Sequence, residues 1–478
     1  MIDKMQEWGS ARHRTAIGRG DLSMPVRQAL GDQIFGSSSS ILDYGCGRGQ
    51  DVARLSQMGM DARGWDPFFA PDTSLVERDV VFLNYVLNVI EDAGERRDTL
   101  RRAWELTSRV LVVSCRLKWE LNSARGTESG DGIVTSRNTF QHFFSPSELR
   151  TFAEDVTGQR CVSPSPGVVY VFRRGEDRFA YLARGTIVGF EWTDTQDYVS
   201  AVAELVSFTE GRGRPPLFEE IPADLLPLLG RLSRRSMLEL INKAASAERI
   251  SEGVKRSTLD TLLYLGTSIF SGRASFVDLP VNVQADIKHC FTSYREACTR
   301  ADRLLAKIRD DTYVRGAMRN SPGKLTASAL YVHRRAVPKI PVVLRLYEHC
   351  GSVAAGRPSG WNILKLDHRG RRVSWSAYPA FDTDPHPTLD WTYGVEMTSL
   401  ESGFQRFGDR ANRPLLHRKE EFLDSEDPHV EKFRRLTAAE VRAGLYRNPT
   451  LIGHEDGWKA ELQRCGVSLR GHRVIKQR

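Results

Sequence analysis

Hydrophobic patterning divides the chain into three stretches of different character. In the first, apolar runs of strand length alternate with helical segments: Ile41 and Leu42 run into Asp43, Met60 to Trp65 follows a turn, and Asp79 to Tyr85, Val110 to Cys115 and Val168 to Phe172 come after. Near-continuous apolar runs suit parallel strands covered on both faces. The intervening helices are read at Pro25 to Leu30, where Ser23 precedes a proline in the first turn, at Val52 to Met58 and at Glu95 to Ser108. A further helix is opened by the capping box Ser145-Pro146-Ser147-Glu148. The gap from Asp66 to Asp79 is too short for helix, strand and second helix, so one strand of the alternation is expected to be short or missing. Val168 to Phe172 is expected to close the sheet as its last strand.

From about Glu176 the pattern turns helical, with helices expected at Val199 to Val206, Ala223 to Lys243, Ser257 to Ile269 and, as one long element, Asp286 to Lys307. From Lys324 strands return, at Asn362 to Leu366 and Val373 to Ser376. The expected organisation is therefore an α/β Rossmann-like domain over residues 1–175, a helical region over 176–323 and an α+β domain over 324–478.

Composition narrows the class. With 478 residues, 40% hydrophobic and 27% charged, the chain has material for two or three soluble domains. No apolar run approaches the roughly 20 residues that span a bilayer, and Met1 to Gly9 carries Asp3 and Glu7 without a signal-peptide core. A cytoplasmic protein without a membrane partner is expected. The 7 cysteines are odd in number and form no C-x-x-C pair, which favours reduced thiols over a disulfide framework or zinc ribbon. The net charge of +8 is compatible with a nucleic-acid partner without requiring one.

The strongest chemical signal is Asp43-Tyr44-Gly45-Cys46-Gly47-Arg48-Gly49, between an apolar strand and a helix start. Glycine at 45, 47 and 49 permits positive φ and close approach of a ligand, and Asp43 sets a carboxylate beside the turn. That combination suits a cationic or zwitterionic ligand bearing a nucleoside. The spacing is neither the G-x-G-x-x-G dinucleotide fingerprint nor a P-loop with its Lys-Ser/Thr. It resembles motif I of class I S-adenosylmethionine-dependent methyltransferases. Asp66 stands at the end of the next strand, where doubly wound folds place the ribose-binding carboxylate. The expected cofactor site is thus Asp43, Tyr44, Gly45, Cys46, Gly47, Gly49, Asp66 and Asn84, with S-adenosyl-L-methionine as cofactor and no metal. Asn84 and Tyr85, at a strand's carboxyl end, are the candidate catalytic residues lining the reaction centre. The Asp/Asn-Pro-Pro-aromatic tetrapeptide of amino-methyltransferases lacks both its prolines here, so transfer to an exocyclic base nitrogen does not follow.

Other residues are read against blander roles. His142 invites a general-base role and Cys115 a nucleophilic one, but neither has a partner at a diagnostic spacing, and a structural role is favoured for both. His13 and Arg14 could close over the ligand or simply be a solvated basic arm. Gly211-Arg212-Gly213-Arg214-Pro215-Pro216 resembles an AT-hook, although a basic interhelical loop reads the same way. Asp382, Asp384 and His386 could ligate a metal, but the prolines among them fit a rigid loop better. Trp361, Lys365, His368, Arg369, Arg371, Arg372, Trp375 and Tyr378 could contact phosphates and stack on bases, or could form an amphipathic strand pair.

Taken together, His13-Arg14-Thr15-Ala16-Ile17, the glycine turn, Trp65-Asp66-Pro67, Asn84 through Asp92, Gly130-Asp131-Gly132, Thr139-Phe140-Gln141 and His417-Arg418-Lys419-Glu420 resemble the bacterial DNA phosphorothioation-associated methyltransferase family. The resemblance covers nearly the whole chain. It implies a class I methyltransferase domain fused to family-specific helical and C-terminal regions, encoded near genes that put sulfur into the DNA backbone or restrict unmodified DNA. The first hypothesis is accordingly methyl transfer to nucleic acid, DNA before RNA, with proteins of a phosphorothioation-linked modification or phage-defence system as partners. A non-catalytic, cofactor-sensing subunit and an RNA or small-molecule methyltransferase are the alternatives. Asp43, Gly45, Gly47 and Gly49 carry over as cofactor contacts and Asp66 as the ribose partner. The seven-stranded sheet usual for the class would here be short of its third strand.

Overall fold

The computed structural model describes residues 12–16, 18, 20–187, 190–195, 197–229 and 233–476. The stretch Met1 to Gly9, Ile17, Arg19 and residues 230–232 of the expected Ala223 to Lys243 helix lie outside them. The chain forms two compact units, Met1–Arg173 with Asp311–Arg478, and Arg174–Asp310.

The first unit is built on β1 (Ser40–Tyr44), β2 (Asp61–Trp65), β3 (Arg78–Asn84) and β4 (Thr107–Ser114), all parallel. A separate three-stranded antiparallel sheet follows, β5 (Gly126–Ser129), β6 (Gly132–Thr135) and β7 (Phe140–His142), and then β8 (Cys161–Ser165) and β9 (Val168–Phe172) return to the main sheet. The order is β2-β1-β3-β4-β9-β8, with β9 antiparallel to both neighbours. Val80 to Leu83 and Val110 to Val113 are completely buried, as the apolar runs demanded of central strands.

This is a Rossmann-like doubly wound sheet of six strands. No strand intervenes between Trp65 and Arg78, as the short spacing implied; a single bridge pairs Asp66 with Ala70. The last strand is placed differently from expectation. β9 lies inside the sheet, and the edge is β8, whose Pro164 hides a strand from pattern reading because proline is confined to sheet edges and bulges. The helices Met24–Gly31, Gln50–Gln57, Ala93–Glu105 and Pro146–Thr157 fall where expected, the last with its reciprocal Ser145–Glu148 capping box.

The remainder of this unit carries β10 (Lys324–Leu325), β11 (Ala329–His333), β12 (Ile363–Asp367), β13 (Arg372–Ala377), β14 (Trp391–Glu396) and β15 (Ser402–Arg406), an antiparallel meander in chain order. Its helix Val342–Ala355 approaches β8 so closely that a Cβ at Gly356 would lie 2.4 Å from the Ser165 carbonyl carbon. Arg150 Nη1 donates to Val353 O at 3.2 Å across the same contact.

The second unit is helical. Tyr198–Arg212 and Ala247–Ser268 meet where Gly253 would set a Cβ 2.3 Å from Glu210 O. Two expected helices are each divided. Asp286 to Lys307 is Val281–Cys290 and Tyr294–Ala306, because Ser293 caps a new helix by accepting Glu296 N–H at 3.1 Å. Ala223 to Lys243 is Leu225–Leu228 and Arg234–Ala244, the second capped by Ser233. A Ser-x-x-Glu signal was present at 293–296, but the apolar periodicity on both sides masked it.

Candidate functional site

The chain leaves β1 to reach β2 on one side and later β3 on the other, so the strand order reverses between β1 and β3. Ligands of open α/β sheets bind outside the carboxyl ends of strands at such a switch point. The glycine turn follows β1 there. Gly45, Gly47 and Gly49 have φ of 89°, 53° and 70°. Gly45 and Cys46 donate their N–H groups to Trp65 O at 2.7 and 3.0 Å, which ties the turn to the end of β2. A Cβ on Gly45 would lie 2.3 Å from Val86 Cγ2, so the turn abuts the segment leaving β3 and leaves room only for glycine.

Asp66 organises the same edge. Its Oδ2 accepts Gly47 N–H at 3.0 Å, and its Oδ1 accepts the N–H groups of Phe68 and Phe69 at 2.9 and 3.0 Å. A carboxylate offers about four acceptor positions, so these three bonds leave capacity for a hydroxyl. Asp43 is buried beneath the turn. Tyr44 packs into the core against Trp65, with ring centroids 4.6 Å apart, and can meet a ligand only through its backbone. Cys46 is half-buried and its thiol is pushed up to about 12, by burial first and then by the charges of Asp43 and Asp66; it is no nucleophile near neutral pH.

At the end of β3, Asn84 Oδ1 accepts the Ser114 hydroxyl at 3.0 Å, while its buried Nδ2 has no partner among the described residues. Tyr85 takes a φ of 59°, a left-handed conformation rare for an aromatic residue, and donates its N–H to Ser114 O. An orphaned amide donor and a strained backbone at one strand end are features that cluster at functional sites.

The N-terminal segment lies over this edge. Ala16 sits 3.2 Å from where a Gly47 Cβ would stand, and His13 stacks on Phe68 with centroids 4.0 Å apart. Arg12 pairs with both Glu91 and Glu95. His13 is thus held against Phe68, while Arg14 is exposed.

The other candidates resolve individually. Cys115 is buried and its thiol is raised by burial, in keeping with a structural role. His142 lies on β7, and its Nδ1 meets Asp131 O at 2.7 Å, a partner no spacing could show. The AT-hook reading fails because Arg212 and Arg214 are buried: both pair with Asp286, and Arg214 also pairs with Glu220 at 2.6 Å. Asp382 pairs with Arg335, while His386 Nε2 meets Glu440 at 2.6 Å; among the described residues no three His, Cys, Asp or Glu are arranged to hold a metal. Trp375 is completely buried and donates Nε1–H to Glu348 at 3.1 Å, and Lys365 lies over the Tyr331 ring, so these two belong to strand packing, while Arg369 is exposed. All 7 cysteines are free, and no described helix is long and apolar enough to cross a membrane.

Sequence reading missed Asn88, which is completely buried. Its Nδ2 donates to His142 O at 2.5 Å and its Oδ1 accepts Arg116 N–H at 2.9 Å, binding together the segments that leave β3 and β4 and the strand β7. A lone Asn within Val86-Leu87-Asn88-Val89-Ile90 was the available signal.

No family model and no curated protein matches the chain. Among solved structures, it is similar to 1,6-didemethyltoxoflavin-N1-methyltransferase of Burkholderia thailandensis, at 15% identity over 35% of this chain and 86% of that one, with a TM-score of 0.26. Magnesium protoporphyrin IX methyltransferase of Synechocystis PCC 6803 shares 16% identity over 36% of this chain and 97% of its own, with a TM-score of 0.24. CalS10, an amino pentose methyltransferase from Micromonospora echinaspora, shares 14% over 35% and 95%, with a TM-score of 0.26. Likenesses at this level transfer neither an acceptor nor a residue role.

Proposed function

We propose that this chain is an S-adenosyl-L-methionine-dependent methyltransferase. The observation that carries the reading is the pairing of the left-handed turn Gly45-Cys46-Gly47-Arg48-Gly49 with Asp66, whose carboxylate holds Gly47 N–H, at the β1/β3 switch point. In this reading the glycine backbone admits the amino-acid end of the cofactor beside Asp43, Asp66 takes a ribose hydroxyl, and Tyr44, Cys46 and Asn84 complete the pocket through backbone and amide groups. The sulfonium makes the methyl group electrophilic, and the protein's part is to hold acceptor and methyl in line. Asn84 and Tyr85 face that centre as its catalytic residues, the Asn84 amide offering its unpaired donor to the acceptor.

The acceptor we propose is nucleic acid, DNA before RNA, in a phosphorothioation-linked modification or defence system. The family resemblance and the +8 net charge support it. The test is transfer of radiolabelled methyl from S-adenosylmethionine to total DNA, total RNA and a small-molecule extract, with calorimetry of cofactor binding on the same sample. Label in DNA is the expected result, and label confined to RNA or the extract replaces the acceptor. Asp66→Ala is expected to abolish both binding and transfer; unchanged binding would remove Asp66 from the pocket.

A further inference from the structure

We infer that His142 is the general base of this methyl transfer, with Asp131 and Arg96 as its positioning residues, and that the acceptor is accordingly a hydroxyl or amine that surrenders a proton as it is methylated. The inference rests on the methyltransferase reading above.

Three observations carry it. The first is tautomer. His142 Nδ1 lies 2.7 Å from Asp131 O, and a carbonyl oxygen only accepts, so Nδ1 carries the hydrogen and Nε2 keeps the lone pair. Among the described residues no group bonds Nε2, and the side chain retains 16% exposure, so that lone pair is open to a ligand. The second is support. The Asp131 carboxylate lies 3.4 Å from the same Nδ1, placed to stabilise an imidazolium, and is gripped in turn by both terminal nitrogens of the buried Arg96. Arg96 Nη1 also donates to Ile90 O at 3.2 Å, which anchors the carboxylate to the segment following β3. A base oriented by a second group, itself held by a third, is the arrangement general-base sites require.

The third is location. Asn88 bonds His142 O and Arg116 N–H, so the β7 backbone is tied to the chain leaving the carboxyl ends of β3 and β4. That is the edge where Asn84, Tyr85 and the glycine turn converge.

The step balances without a further reactant. An acceptor lone pair forms the bond to the methyl carbon, the sulfur–methyl pair returns to sulfur as a neutral thioether leaves, and the acceptor's proton passes to His142 Nε2 and then to solvent. The groups facing the imidazole are Arg96 on helix Ala93–Glu105, Asp131 in the β5–β6 turn and Glu148 on helix Pro146–Thr157. Burial, with the Arg96 charge acting in the same direction, outweighs Asp131 and Glu148 and lowers the His142 pKa, which favours the neutral, basic ring.

The experiment uses the full chain, labelled S-adenosylmethionine and the DNA, RNA and small-molecule probes above, from about pH 5 to about pH 9. Wild-type transfer is expected to fall on the acid side as His142 takes up a proton. His142→Gln is expected to bind cofactor as the wild type does, to transfer about 10²- to 10⁴-fold more slowly and to lose the acid limb. Asp131→Asn keeps the main-chain carbonyl but removes the charge that favours imidazolium, so its acid limb should move to lower pH. Retention of the wild-type rate or acid limb by His142→Gln overturns the inference, as does a loss of cofactor affinity that matches its loss of rate. A wild-type chain that binds no cofactor, or binds it and labels nothing, overturns the methyltransferase reading and the inference with it.

Discussion

The mixed sheet and the antiparallel meander of the same compact unit each have six strands, yet their polar groups are arranged differently. At the carboxyl edge of the mixed sheet's parallel strands, Asn84 leaves a buried donor unpaired, Tyr85 holds a left-handed backbone and the glycine turn bends through three left-handed glycines. Around the meander, polar side chains are turned on one another. Lys419 Nζ reaches Phe381 O, Asp384 O and His472; Glu348 accepts from Trp375 and from two nitrogens of Arg357; Glu440 joins His386 to Tyr446. Leaving a buried donor unpaired costs about 1–3 kcal/mol. The meander region keeps unpaired buried atoms too, at His349 Nε2, His386 Nδ1 and His417 Nδ1; what sets the first edge apart is the conjunction of an orphaned amide donor, a left-handed aromatic residue and a glycine turn at one strand end.

Substitutions at the glycine turn should break this contrast most sharply. Gly45→Ala places a methyl against Val86 at a backbone angle that disfavours side chains, and is expected to cost about 2–4 kcal/mol and to remove cofactor binding, read by chemical denaturation and calorimetry. Normal cofactor affinity in a folded Gly45→Ala protein would show that this edge is not the receiving one. In the meander region the expectation reverses. Glu348→Ala strands the Trp375 indole and the Arg357 guanidinium, at a cost of about 2–3 kcal/mol, yet cofactor affinity should stay at the wild-type value.

The smallest effect at neutral pH comes from the buried histidines. Burial lowers His417 and His333 to about 3 and His349 to about 4, all from an ordinary 6.5. These rings are neutral in the fold, and the unfolded chain takes up their protons first as pH falls. Stability is therefore intact above 6.5 and declines on acidification toward the folded values. Urea denaturation at about pH 7 and about pH 5 measures the slope, and His417→Gln should flatten it. A slope unchanged by that variant would place the acid sensitivity elsewhere.

The sequence by itself determined the features whose causes lie within a few residues. The apolar runs specified β1, β3, β4 and β9, the spacing after Asp66 left the next strand short or missing, and Ser145 with Glu148 marked a helix start that the structure reproduces. The glycines adopt the left-handed angles their spacing suggested because turn geometry is a local steric matter. β8 escaped notice because its proline contradicts strand propensity and only the partner β9 makes it a strand.

Tertiary structure alone decided which charges meet. Arg212 and Arg214 read as a basic loop until Asp286, more than 70 residues on, neutralised them in the interior. His142 read as a structural histidine until the β5–β6 turn carried Asp131 back to its Nδ1 and Arg96 arrived from a separate helix. The physical reason is range. Strand, turn and cap are set by sterics and hydrogen bonds between near neighbours, whereas burial and pairing of a charge depend on where distant segments are brought by the collapse of the whole core.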